Sequence, residues 1–154
     1  MPYKHVKSFK GKKAFLSNFY KCDIFYDGWI YPSVEHAFQA SKTMDIYDRE
    51  IIRMTKSPAK AKQIGRSLYR IRNDWEIVKY GIMHQLLWYK FTHNVDLLKR
   101  LVDTEKEELI EINDWHDNYW GKCVCKDCIS GTIAKNRLGM LLMEIRGSEL
   151  LQSY

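Results

Sequence analysis

The chain has 154 residues and a formal net charge of +6; 45% of its residues are hydrophobic and 29% charged. That balance excludes a disordered polymer and fits one globular domain with a sizeable core. No apolar run approaches the length of a membrane span, and the polar N-terminus does not read as a signal peptide, so no membrane partner and a cytoplasmic location are expected.

Aromatic residues are dense, with ten Tyr, six Phe and five Trp. Such a set builds a core, and it can also line a pocket that stacks flat rings. The positive charge favours phosphate or polyanion partners through steering. Its bland reading is a solvated basic surface, since apart from Lys7, Lys10, Lys12 and Lys13 the basic residues are scattered. There is no repeat and no Pro/Gly/Ser linker, so a single domain over 1–154 is expected.

Tyr3–Phe9 reads as a strand, with Gly11 in the turn after it. In "FLSNFY" (15–20), a strand would hold Phe15 and Leu16 and Ser17-Asn18 would interrupt it. Asn18 offers a donor and an acceptor; taken alone it reads as a turn residue bonding its own backbone. "CDIFYDGWIYPS" holds the strongest local signal: Asp27-Gly28 between aromatic and β-branched runs predicts a hairpin with a two-residue turn. Ser33 then predicts an N-cap, and Val34, Ala37, Phe38 and Ala40 a helix over about 34–43.

On that helix "SVEHAFQASK" places Glu35, Phe38, Gln39 and Lys42 at i, i+3, i+4 and i+7, on one face. Glu35 and Lys42 are two turns apart, too far for the usual surface pair, but a ligand between them would touch both. From spacing alone a solvated face is the commoner explanation. His36 lies off this face and reads as structural.

Ser57-Pro58 reads as N-cap and N1 of a helix through Leu68. Asn73 with Glu76 resembles a capping box, and Trp75, Val78, Ile82, Met83, Leu86, Leu87 and Phe91 trace one apolar stripe after it. Leu97, Leu98, Leu101 and Val102 predict a short helix. "ELIEI" (108–112) alternates like a strand. "WHDNYWG" (115–121) is either a binding loop or a loop whose Trp rings plug the core. "CVCKDC" (123–128) brings Cys123, Cys125 and Cys128 close enough for tetrahedral zinc, with His116, Cys22 or Asp117 as a fourth ligand; reduced free thiols are the alternative. Three Cys so close together do not look like a secreted disulfide framework. The last helix begins near Asn136 and carries Leu138, Leu141, Leu142 and Ile145. The expected class is α+β, mostly helical, with a small antiparallel sheet built largely from the N-terminal third. Walker, GxGxxG, HExxH and GxSxG motifs are all missing, which removes their chemistries.

Four stretches, "FLSNFY", "YPSVEHAFQASK", "DNYWG" and "NRLGMLLMEIR", together resemble the NADAR family of YbiA-like N-glycosidases, in order and spacing, from about residue 13 to 146. The resemblance implies cleavage of an N-glycosidic bond between a ribose-type sugar and a base or amine. The implied substrates are ribosylamino-pyrimidine phosphates of the riboflavin pathway, or ADP-ribose on guanine of DNA or RNA; a non-catalytic ADP-ribose-binding module is the alternative. It assigns catalysis to Glu35, Lys42 and Asp117, with Lys42 matching a lysine proposed to attack the sugar. It assigns substrate binding to Asn18, Phe19, Tyr20, Trp120, Gly121 and Asn136. No cofactor is required by that chemistry, and a structural zinc is the one metal it leaves room for. The stretch "KCVCKDCISGTIAK" departs from the family's shorter glycine-rich segment, so residue-level transfer stops there.

Overall fold

The computed structural model describes residues 5–148. In chain order the elements are β1 (His5–Lys7), a 3-10 helix (Gly11–Leu16), β2 (Ile24–Tyr26), β3 (Trp29–Tyr31), α1 (Val34–Ala40), α2 (Ile46–Arg53) and α3 (Pro58–Arg66). They continue with α4 (Trp75–Thr92), α5 (Val95–Val102), β4 (Glu108–Ile110), β5 (Ile112–Asn113), β6 (Lys122–Cys123) and α6 (Arg137–Arg146). The α+β expectation holds, and the antiparallel pair β2–β3 comes from the N-terminal third. Two further pairs, β1–β4 and β5–β6, are parallel. Alternation in "ELIEI" marks a strand but says nothing of its partner's direction. The expected strand at 3–9 is present as β1; Tyr3 and Lys4 lie outside the described residues. The chain divides into two compact units, Asn18–His93 and Met1–Ser17 with Asn94–Tyr154.

In the unit Asn18–His93, Asp27 and Gly28 take φ of 48° and 83° and turn β2 into β3. Positive φ at both central residues matches the right-handed twist of the strands. The pairing sets Ile24 opposite Tyr31 and Phe25 opposite Ile30, the first pair buried and the second exposed. Ser33 caps α1 as expected, its Oγ accepting the His36 amide at 3.2 Å. Every residue of α1 is buried, and the helix packs on α2, α3 and α4. A helix buried all round must satisfy its polar side chains internally, which makes Glu35, His36 and Gln39 the informative residues on it.

Three local expectations need correction. Phe15 and Leu16 sit in the 3-10 helix, closed by the Ser17 amide on Ala14 O, and not in a strand. Helix α1 stops at Ala40, because Ser41 Oγ bonds back to Phe38 O and the chain turns. Asn73 does not open α4: the N-cap is Asp74, and its carboxylate is taken by the Arg72 guanidinium at 2.6 and 3.0 Å instead of by helix amides. The α4 stripe itself holds, with Trp75, Ile82, Met83, Leu86, Leu87 and Phe91 buried.

In the other unit, β1 pairs with β4, and α6 packs on β4 and α5. Its core gathers Phe15, Leu16, Leu101, Leu109, Leu138, Leu141 and Leu142.

Candidate active site

Glu35, Lys42, Asn18, Phe19 and Tyr20 all fall in the unit Asn18–His93. Asn18 is buried, and its carbonyl accepts the Glu35 amide at 3.0 Å, tying the "SNFY" turn to the first turn of α1. Its side-chain amide donates to Met83 Sδ at 3.5 Å. Asn18 Oδ1 is buried without a hydrogen-bond partner among the described residues. The same is true of Gln39 Oε1, although Gln39 Nε2 donates to Glu35 Oε1 at 2.7 Å. Buried acceptors of this kind are rare; the Gln39 oxygen packs against Gly65, where a Cβ would fall 1.9 Å from it.

Burial pushes the Glu35 carboxyl above its ordinary range, against the Gln39 hydrogen bond and the charges of Lys62, Lys42 and Arg66. Lys42 is half-buried; burial pushes its amine below its ordinary range, Glu35 opposes this, and Arg66, Lys62 and Lys79 add to it. Both groups are therefore displaced toward their neutral forms. Lys42 does not sit on the α1 face as helical spacing predicted, since α1 ends two residues earlier. It follows the turn, with its carbonyl accepting the Arg72 amide at 2.8 Å and its Nζ lying 5.9 Å from the Trp75 ring centroid. Trp75 in turn packs on Phe38, ring centroids 5.0 Å apart. Phe19 is exposed beneath Lys62, whose Nζ lies 5.8 Å from the ring centroid, and Tyr20 faces the buried Lys90 at 5.4 Å. His36 is structural as read: Ser33 Oγ at 2.7 Å and Thr55 O at 3.2 Å take its two ring nitrogens.

Asp117, Trp120, Gly121 and Asn136 fall in the other unit. Asp117 builds a tight turn, one carboxylate oxygen accepting the amides of Tyr119 at 3.0 Å and Trp120 at 2.8 Å. Asn113 brackets it, accepting the Asp117 amide and donating to its carbonyl. Trp120 meets Tyr119 edge-on, centroids 4.8 Å apart. At Gly121 a Cβ would fall 2.2 Å from Glu111 O, so the glycine lets the chain pass β5. Asn136 takes φ 45°, accepts the Glu111 amide at 3.2 Å and donates to Leu109 O at 2.8 Å. Its amide thus holds β4 to the start of α6 with both ends in use.

Cys123, Cys125 and Cys128 come together with His116; one ligand atom from each lies within 4.8 Å of the others. The sequence left a fourth ligand open among three residues, and His116 is the one the fold brings to the three cysteines. Cys22 is in the other unit, its thiol 3.9 Å from Asp23 O. Burial, together with the neighbouring Cys125 and Cys123 thiols, pushes the Cys128 thiol up to about 11. This set can hold a metal ion such as zinc.

The sequence reading named Gln39 only as a neighbour on the helix face and passed over Lys62, Arg66 and Trp75. Lys62 and Arg66 carry no motif, and Trp75 read as core. Gly65 is a further contributor, because a Cβ there would fall 1.9 Å from Gln39 Oε1. Only its missing side chain leaves the glutamine room to reach Glu35.

The NADAR domain family matches residues 4–150. The protein named N-glycosidase YbiA from Escherichia coli (strain K12) is 40% identical over 132 residues, 85% of this chain and 78% of that one. A riboflavin biosynthesis protein of Vibrio vulnificus (strain YJ016), VVA0006, is 33% identical over 134 residues, 86% of this chain but 35% of that longer protein. The NMR structure of E. coli YbiA superposes with a TM-score of 0.81 at 34% identity, covering 99% of this chain and 89% of the other.

Proposed function

We propose, for a chain that belongs to the NADAR domain family, that Glu35 and Lys42 form the reacting pair of an N-glycosidase. The chain is a hydrolase acting on N-glycosyl compounds, with a nucleotide or ribosyl compound as substrate. The observation that carries the assignment to this pair is the buried carboxyl of Glu35, bonded by Gln39, with the half-buried Lys42 amine near enough for each charge to act on the other.

The displaced pKa values suit one sequence of steps. The neutral Lys42 amine attacks the sugar C1. The C1–N bond to the base breaks, its electron pair leaves with the base nitrogen, and the Glu35 carboxylic acid protonates that nitrogen. Glu35, now ionised, takes a proton from the new ammonium. The amine lone pair then opens the C1–O4 bond, the proton passes from Glu35 to O4, and a protonated imine remains. Water adds to the imine carbon, a proton from its oxygen returns to Glu35, and the C–N bond breaks to release the ring-opened aldehyde sugar and the neutral lysine amine. Asp117 and Trp120 fall in the other unit and rest on the motif alone, which implies a carboxylate for positive charge and a ring for stacking. Asn18, Phe19, Tyr20 and Gly121 are assigned to substrate contact, and Asn136 chiefly to the fold. No cofactor enters this scheme, and any zinc on the cysteine loop is structural.

Within the substrate class we favour a ribosylamino-pyrimidine phosphate. Lys62 and Arg66 place positive charge close enough to act on both Glu35 and Lys42, which suits a single phosphate on a small substrate. One domain over 1–154 is our proposal for the organisation, supported by a family match that runs through both units. A reducing cytoplasm is the proposed compartment. No described helix is long and apolar enough to cross a membrane.

The test offers purified protein both substrate classes under borohydride and follows base release and protein mass. Expected are free base, and a sugar adduct on Lys42 that Lys42→Ala removes. Glu35→Gln should lower turnover by about 10²–10⁴-fold, the usual contribution of a general acid. A fully active Glu35→Gln, or turnover by Lys42→Ala at the parent rate, overturns the scheme.

A further inference from the structure

The cysteine loop has no part in the reaction above, yet its geometry is specific. His116 Nδ1 lies 3.3 Å from Cys125 Sγ and 3.4 Å from Cys128 Sγ. Around zinc with Zn–S of about 2.3 Å and Zn–N of about 2.0–2.1 Å, a tetrahedron has N···S edges of about 3.6 Å and S···S edges of about 3.8 Å. All four ligand atoms lie within 4.8 Å of one another, so small side-chain adjustments close that tetrahedron. Four soft or borderline ligands with no carboxylate select zinc over calcium or magnesium.

The main chain around the cluster is shaped to the same end. The His116 amide donates to Cys123 Sγ at 3.3 Å and fixes that sulfur beside the imidazole's own residue. His116 holds φ 67°, a conformation an L-residue keeps only when its surroundings fix it. Cys128 and Ile129 amides both bond back to Cys125 O, closing the Cys-x-x-Cys turn. β5 and β6 pair in parallel with Cys123 itself opposite Asn113, and the Val124 amide extends the ladder to Asn113 O.

We infer that His116, Cys123, Cys125 and Cys128 bind one structural zinc ion, and that this ion fixes the turn carrying Asp117 and Trp120. The link is short and continuous. His116 is the residue before Asp117, and the Cys123 amide donates to Asn118 Oδ1 at 2.9 Å. Asp117 in turn collects the Tyr119 and Trp120 amides. A ligand before this turn and three after it make the metal a clasp across 116–128. Full four-fold protein ligation leaves no open position for water or substrate, which separates this site from a catalytic zinc.

The experiment needs no turnover, so its failure would leave the N-glycosidase reading untouched. Full-length protein from zinc-supplemented culture, freed of loosely bound metal, is measured by elemental mass spectrometry. One zinc per chain is expected, retained by Cys22→Ser and reduced at least tenfold by Cys125→Ser and Cys128→Ser. In case those variants do not fold, a second arm removes the metal from the parent protein with a chelator and follows amide hydrogen exchange. Exchange at Tyr119, Trp120 and Cys123 should accelerate at least tenfold while α4 stays protected, and zinc should reverse it. Less than a tenth of an equivalent of zinc before and after reconstitution overturns the inference. So does stoichiometric iron in its place, a disulfide among the three cysteines, or exchange indifferent to the metal.

Discussion

Glu35 is a buried carboxyl whose ionised form contributes poorly to folding. Its folded pKa lies above the ordinary value of 4.5, because burial disfavours the carboxylate more than Gln39 and the nearby cations favour it. A raised carboxyl pKa means the folded state binds the proton more tightly than the unfolded chain does. Its contribution to stability is then fully present below the unfolded pKa and is lost as pH rises through the folded one. Glu35→Gln keeps the shape and removes the titration. We therefore predict that the variant gains stability over the parent as pH rises from about 4 to about 8, while its turnover collapses. Urea denaturation of both proteins across that range measures it, and a stability difference independent of pH sinks it. His36 acts in the opposite window. Burial lowers its pKa against the Thr55 carbonyl contact, so stability present above its ordinary 6.5 is lost as pH falls. Comparing parent and variant at each pH cancels this common term.

The residue pattern of α6 is explained by packing. A Cβ on Gly139 would lie 2.0 Å from Leu109 O and 2.4 Å from Asn136 Nδ2, so the glycine lets the helix backbone rest on β4. Asn136 donates to that same Leu109 carbonyl and accepts the Glu111 amide just past β4, and Arg146 reaches Thr104 Oγ1 and Glu107 O at 2.9 Å each. Gly139→Ala should accordingly destabilise by about 1–3 kcal/mol, the usual cost of overpacking, with little effect on KM in protein that remains folded. A variant as stable as the parent would show that α6 can lift off β4. This also explains what the sequence made legible. Hairpin, caps and apolar stripes obey local rules, and Asp27-Gly28, Ser33 and Ser57-Pro58 were read correctly. Parallel pairing of β1 with β4 joins segments about a hundred residues apart, and no local pattern encodes it. Glu35 and Lys42 came from a motif, but the reason first given, one helical face, does not survive the end of α1 at Ala40. Gly65 and Trp75 matter through tertiary contacts, so only coordinates reveal them, whereas the Gln39 bond to Glu35 is the i,i+4 pair that helical spacing already offered. His116 was one of three equal choices until the fold brought its imidazole to the thiols.

At the scale of the whole molecule the net charge of +6 bears on which substrate is used. A basic protein is drawn to nucleic acid whether or not it acts there, so charge alone does not choose between ADP-ribosylated guanine and a free ribosyl phosphate. Salt does choose, because each phosphate contacted releases counterions. A site gripping about three phosphates of a strand would lose roughly 20–40-fold in affinity over a fourfold rise in salt. A small substrate held by one phosphate has no such atmosphere to release and should lose only a few-fold, through screening. The positive charge acting on Glu35 and Lys42 comes from a few side chains, Lys62, Arg66 and Lys79. The four lysines at positions 7 to 13 are the one local cluster elsewhere in the chain. We therefore predict that kcat/KM on a ribosylamino-pyrimidine phosphate falls no more than a few-fold between about 50 and about 200 mM salt, and that Lys62→Ala raises KM more than it lowers kcat. Steady-state kinetics on both substrate classes at the two salt concentrations decides it. A steep salt dependence on ADP-ribosylated DNA, with kcat/KM there exceeding that on the small substrate at the higher salt, would move the protein to nucleic acid and leave the Glu35–Lys42 chemistry in place.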